Sequence, residues 1–131
     1  MIGLDANILL RYLTQDDPLQ SPKATEIVER RLTESNPGFV SVVAMVETVS
    51  VLERRYGFSD VRIASAIEWL LKADVLVVED EREVSVAMIA LKRGQGSFAD
   101  ALIGALGDKV GCSTTLTFDR KAARLSGFAL A

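Results

Sequence analysis

The chain is 131 residues long, 49% apolar and 25% charged, which suits one ordinary globular domain spanning residues 1–131 and excludes an intrinsically disordered protein. A formal charge of −3 excludes a protein that grips nucleic acid by bulk basicity, although a bound cation can invert the local field where a phosphate must sit. The chain contains no histidine, so Ser-His and Cys-His nucleophile systems and His-containing zinc sites are excluded as well.

Met1 to Leu4 is a short apolar run that stops at Asp5-Ala6-Asn7, after which Ile8, Leu9, Tyr12 and Leu13 recur at helical spacing. A buried strand, a turn and a helix are expected. After the polar loop from Thr14 to Pro18, Ser21 before Pro22 reads as a helix start with proline at the first helical position. Ala24, Ile27, Val28 and Leu32 form the inner face of that helix, which extends to about Thr33. Asn36-Pro37-Gly38 is turn punctuation before a short strand at Phe39-Val40. Ser41 can cap the next helix, which Gly57 ends, and Ser59 or Asp60 caps another with Ile63, Ile67, Leu70 and Leu71 inward.

Val75-Leu76-Val77-Val78 is a continuous apolar run, expected of a strand covered on both faces. The acids from Glu79 to Glu83 open the following helix, where negative charge meets the positive end of the macrodipole; these and Asp16-Asp17 read as surface. Gly94-Gln95-Gly96 ends it. Ser97 to Leu106 reads as helix, Cys112 to Thr117 as strand, Arg120 to Leu125 as a short helix and Phe128 to Leu130 as an edge strand. Cys112 reads as a small buried residue, and a lone thiol suits the cytoplasm. No leader-like or membrane-spanning pattern is present, so no membrane partner is expected.

Short apolar strands alternating with helices imply right-handed crossovers and a mostly parallel sheet covered on both sides, an α/β three-layer arrangement. Such sheets bind ligands beyond the carboxyl ends of their strands. Asp5 and Asp119 both fall there. Each also has a plainer role: Asp5 and Asp119 can cap the helices that follow, and Asp100 stands three residues after Ser97, the spacing of a capping box. Glu47 lies mid-helix inside an apolar stretch, where capping does not explain it and an ion pair with Arg54 is the competing account. Gly104 and Gly107 share the Asp100 side of its helix, clearing space either for a ligand or for close helix packing.

Were Asp5, Glu47, Asp100 and Asp119 to meet, their repulsion would demand a counter-charge. Two carboxylates ~4 Å apart repel by about 4 kcal/mol at an effective dielectric near 20. All-oxygen ligation selects a hard cation, Mg²⁺ or Mn²⁺. Asn7 and Thr117 flank the presumed site, either as hydrogen-bonding support for it or as turn formers. Arg120, Lys121 and Arg124 follow Asp119 and could face a phosphodiester backbone or simply solvent.

The set Asp5-x-Asn7 after an opening strand, helical Glu47, Phe98-Ala99-Asp100-Ala101-Leu102-Ile103 and Thr117-Phe118-Asp119 resembles a PIN domain, and more narrowly the VapC-type toxins of prokaryotic toxin–antitoxin pairs. The likeness covers essentially the whole chain. It implies a central, mostly parallel five-stranded sheet with helices on both faces and an Mg²⁺- or Mn²⁺-dependent endoribonuclease. It makes Asp5, Glu47, Asp100 and Asp119 the catalytic metal-site acids, with Asn7 and Thr117 as polar support. Ala6 departs from the pattern, standing where a Thr or Ser often occurs. The resemblance also implies an RNA substrate, a cognate antitoxin and a homodimer.

Three other readings compete. A receiver domain needs an acceptor Asp at the end of a central strand, yet Val51 to Tyr56 reads as helix; a haloacid-dehalogenase-type phosphatase wants a second Asp where Asn7 stands. The stronger rival is a catalytically silent PIN-like binding module, against which the presence of all four acids speaks.

Overall fold

Three short parallel strands organise the first part of the chain in the computed structural model, which describes residues 1–131. They are β1 (Ile2–Gly3), β2 (Gly38–Val40) and β3 (Leu76–Val78), lying side by side in that order. Their register aligns Gly3 with Phe39 and Phe39 with Val77. Two further strands, β4 (Thr115–Thr117) and β5 (Phe128–Leu130), pair parallel to each other in a second sheet. The α/β class and the parallel strand pairing agree with expectation. A single five-stranded sheet does not form, because β1 pairs only with β2 and β4 only with β5.

Six α-helices connect the strands: α1 (Ala6–Thr14), α2 (Gln20–Glu26), α3 (Val42–Arg54), α4 (Asp60–Lys72), α5 (Glu81–Lys92) and α6 (Phe98–Lys109). Serine caps start three of them. The hydroxyls of Ser41, Ser59 and Ser97 accept from the backbone N–H groups of Ala44, Arg62 and Asp100 at 3.1–3.2 Å. The second helix begins two residues earlier than expected, at Gln20. Asp17 caps it, accepting from the N–H groups of Leu19 and Gln20 at 2.9 and 2.7 Å, which leaves Pro22 inside the first turn, where its missing N–H is harmless. A π-helical turn over Ile27–Arg31 closes this helix.

The apolar periodicity translates into one core. Leu9, Val40, Met45, Leu52, Ile63, Ile67, Leu70, Val84, Phe98 and Leu102 are all fully buried, each such side chain contributing about 1.5–3 kcal/mol on transfer from water. Coverage of the sheets is uneven, however. Paired residues on neighbouring strands point to the same face, and the row Gly3–Phe39–Val77 faces the less covered side, with Val77 41% exposed. The β-branched run therefore belongs to an edge strand covered on one face rather than two. Leu116 in β4 is exposed likewise.

Several charged residues expected to be mere surface tie elements together. Glu79 accepts from the Val42 N–H at 2.8 Å, supplying a cap to α3 from the end of β3. Lys109 at the end of α6 pairs with Asp80 and Glu83 at the start of α5. Asp16 accepts from the Tyr56 hydroxyl at 2.5 Å, the Thr14 hydroxyl at 2.7 Å and the Arg11 guanidinium at 3.1 Å, joining the end of α1 to the residues after α3. The Tyr56 hydrogen bond foremost, then those of Thr14 and Arg11, hold the Asp16 carboxyl down from the ordinary 3.8 to about 2. A depressed acid stabilises the fold fully above its unfolded value, and that contribution disappears as pH falls through the folded value. Acid titration followed by circular dichroism is thus expected to show loss of stability between about pH 4 and 2 that Asp16→Asn reduces. An unchanged acid profile in that variant would contradict the assignment.

Cys112 is not buried. Strand β4 starts at Thr115, three residues later than expected, and the thiol sits exposed in the preceding loop. Gly111, at φ 93°, turns the chain there before the strand can begin.

Candidate functional site

Asp5 stands two residues beyond β1, in extended conformation at the N-cap of α1, where its carboxylate accepts from the Ala6 N–H at 2.8 Å. Asp119 stands two residues beyond β4. Its N–H donates to the Thr117 hydroxyl at 3.0 Å, and its carboxylate accepts from the Lys121 N–H at 2.8 Å. The capping role expected of Asp5 is real, whereas Asp119 closes the turn before a 3₁₀ segment whose N-cap is Lys121; each acid engages a single oxygen. Thr117 supports the Asp119 turn through that hydrogen bond. Asn7 is exposed and its side chain makes no hydrogen bond within the protein.

Asp100 is the third residue of α6, and only half of the capping box forms. The Ser97 hydroxyl accepts from the Asp100 N–H at 3.1 Å, while the Asp100 carboxylate returns no bond to Ser97. Both of its oxygens are free for another partner. The glycines on its helix are used in packing: a Cβ at Gly104 would overlap the Phe128 ring, and one at Gly107 would lie 3.3 Å from the Thr115 hydroxyl. They admit the β4–β5 sheet.

Glu47 projects from α3 into solvent and makes neither a hydrogen bond nor an ion pair, so the internal bridge to Arg54 does not exist. Its apolar surroundings in sequence are misleading, because Ala44, Met45, Thr48 and Val49 point inward while Val43, one turn before Glu47, is 75% exposed. An exposed carboxylate is not desolvated and needs no partner. Its lack of any structural role is still notable.

Asp100 and Asp119 line one cavity of about 610 Å³, whose rim includes the turn Gly94-Gln95-Gly96. Asp5 and Glu47 are not among the residues lining it. Two further acids line it that sequence reasoning missed, Glu53 and Asp60. Asp60 in the first turn of α4 carried no signal, since the helix dipole favours an acid there. Glu53 did carry one. It sits in the last turn of α3, where the dipole opposes negative charge. Lys121 and Arg124 share the cavity, whereas Arg120 does not.

In donor chemistry the four predicted acids fit a hard divalent cation, with oxygen ligands, no histidine and the one thiol outside the cavity of Asp100 and Asp119. In space the set is incomplete, for no three acid, histidine or cysteine side chains stand close enough together to hold an ion. The structure brings two of the four acids together and leaves two outside.

No helix is long and apolar enough to cross a membrane. No curated protein matches the sequence. The family model for the PIN domain matches residues 2–127, and PIN domains are generally nucleases that typically use divalent metal ions. With parallel α/β architecture and acids placed just beyond the ends of β1 and β4, the chain belongs to the PIN-domain family.

Proposed function

We propose that the protein is a divalent-metal-dependent endoribonuclease acting in the cytoplasm as the VapC-type toxin of a toxin–antitoxin pair. The observation that carries this reading is the pair Asp100 and Asp119 on one cavity wall, both with uncommitted carboxylate oxygens, in a chain of a nuclease family. Asp100 and Asp119, joined by Asp5 and Glu47, would hold Mg²⁺ or Mn²⁺. When bound, such an ion lowers the pKa of its water and neutralises charge developing on a phosphodiester.

The chain's own residues set the geometry for that task. The Ser97 cap fixes the start of α6 and hence Asp100, and the Thr117 hydroxyl fixes the turn that presents Asp119. A single five-stranded sheet with β4 beside β1, as the resemblance implies, would carry the acids that follow these two strands to one end of it. Two features suit that pairing: both strands are parallel to their present partners, and both carry an acid two residues past their last residue. Asn7 supports the assembled acids from the start of α1. A toxin must be restrained, so a cognate antitoxin is expected to cover the acidic site, and two copies of the chain form the working unit.

Incubation of the purified protein with a structured RNA tests the reading. Cleavage is expected with Mg²⁺ or Mn²⁺, lost on chelation and restored by adding the ion back. Inertness toward varied RNAs with both ions would favour instead a PIN-fold module that acts only by binding a partner.

A further inference from the structure

We infer that Lys121 and Arg124 are positioning residues that hold a backbone phosphate of single-stranded RNA in the cavity presenting Asp100 and Asp119, an inference that rests on the nuclease reading above. A 3₁₀ turn spans Ala122–Arg124, with Lys121 at its N-cap. Such a turn has three residues per revolution, so positions i and i+3 eclipse and Lys121 and Arg124 project on the same side. The buried Ala122 and Leu125 pin the segment to the core, which holds that side toward the cavity. The hydrogen bond from the Lys121 N–H to the Asp119 carboxylate makes acid and base parts of one turn.

Neither cation makes an ion pair, although four acids line the same cavity. Both heads are therefore free for an external anion. An arginine fork matches phosphate geometry and a lysine supplies a mobile point charge, so together they suit the repeating charge of a nucleic-acid backbone. Arg120 provides an internal control. It has the same charge, one residue away, and is exposed outside the cavity.

The test is the salt dependence of binding of a short random-sequence single-stranded RNA, followed by fluorescence anisotropy in magnesium buffer on Asp100→Asn protein. Each lost phosphate contact on a single strand reduces the slope of log K against log salt by about 0.7. Lys121→Gln and Arg124→Gln are each expected to show that reduction, Arg124→Lys to restore most of it, and Arg120→Gln to leave the slope unchanged, all with matching thermal melts. An equal loss in Arg120→Gln, unchanged slopes in the other two, or no RNA binding by the parent protein would overturn the inference. Metal-dependent cleavage by protein that keeps Asp100, together with unaltered slopes in the binding variants, sinks this inference alone. Slope changes at Lys121 and Arg124 without any metal-dependent cleavage by protein that keeps Asp100 sink the nuclease reading alone.

Discussion

Asp100→Asn is expected to lower RNA cleavage by at least about a hundredfold, ~2.7 kcal/mol of transition-state stabilisation, while leaving the melting temperature where it was. The substitution preserves shape and the backbone N–H that donates to Ser97, so the start of α6 keeps its cap. Only charge is removed. Asp119→Asn should behave alike, because an asparagine oxygen still accepts from the Lys121 N–H and keeps the turn. Asp5→Asn retains its acceptor for the Ala6 N–H on the same grounds. Glu34→Gln, at an exposed acid with no hydrogen-bonded or ionic partner, serves as the control and should cleave normally. Retained activity in Asp100→Asn would place the chemistry elsewhere. Lost activity accompanied by a lowered melting temperature would reassign Asp100 to folding.

Gly104→Ala is expected to destabilise the fold by about 1–3 kcal/mol, the range for forcing an extra carbon into a packed interface. In a chain of this size that lowers the melting temperature by several degrees. The physical cause is local, since the added methyl would occupy the space of the Phe128 ring, through which β5 packs on α6. Combining it with Phe128→Ala should give less than the sum of the single losses, because the clash disappears with the ring. Gly3→Ala offers the comparison: nothing lies within 4 Å of a Cβ there, and its stability should hardly change. Additive losses for Gly104 and Phe128 would show that the ring is not what the glycine accommodates.

The order of strands and helices was legible because each rests on local signals: apolar periodicity, serine caps at Ser41, Ser59 and Ser97, and glycine stops. Even the last strand, Phe128–Leu130, appears where expected. What escaped depends on tertiary partners. The division of five strands between two sheets depends on which backbones meet, which side-chain pattern does not encode. The outward placement of Glu47 beside an exposed Val43 defeated the inference from apolar neighbours, since an apolar sequence stretch still has a solvent side on a helix. Cys112 falls outside the strand expected over Cys112 to Thr117 because Gly111, at φ 93°, turns the chain and pairing begins only at Thr115.

The candidate site was legible in parts. The local environments of Asp5, Asp100 and Asp119 follow from the capping chemistry of their own turns, and the structure adds that Asp100 and Asp119 share a cavity. Glu53 was marked by its place in the last turn of α3, against the helix dipole, whereas Asp60 entered that cavity with no local signal. The same holds for Lys121 and Arg124, whose common direction depends on a 3₁₀ turn rather than the expected helix.

Manganese binding, titrated by electron paramagnetic resonance on the wild type and on Asp5→Asn, Glu47→Gln, Asp100→Asn and Asp119→Asn, tests most directly whether the distant acids form one site. One saturable site weakened in all four variants is the result expected if they share an ion. Wild-type affinity in Asp5→Asn or Glu47→Gln would contradict a shared centre and confine any ion to the cavity of Asp100 and Asp119.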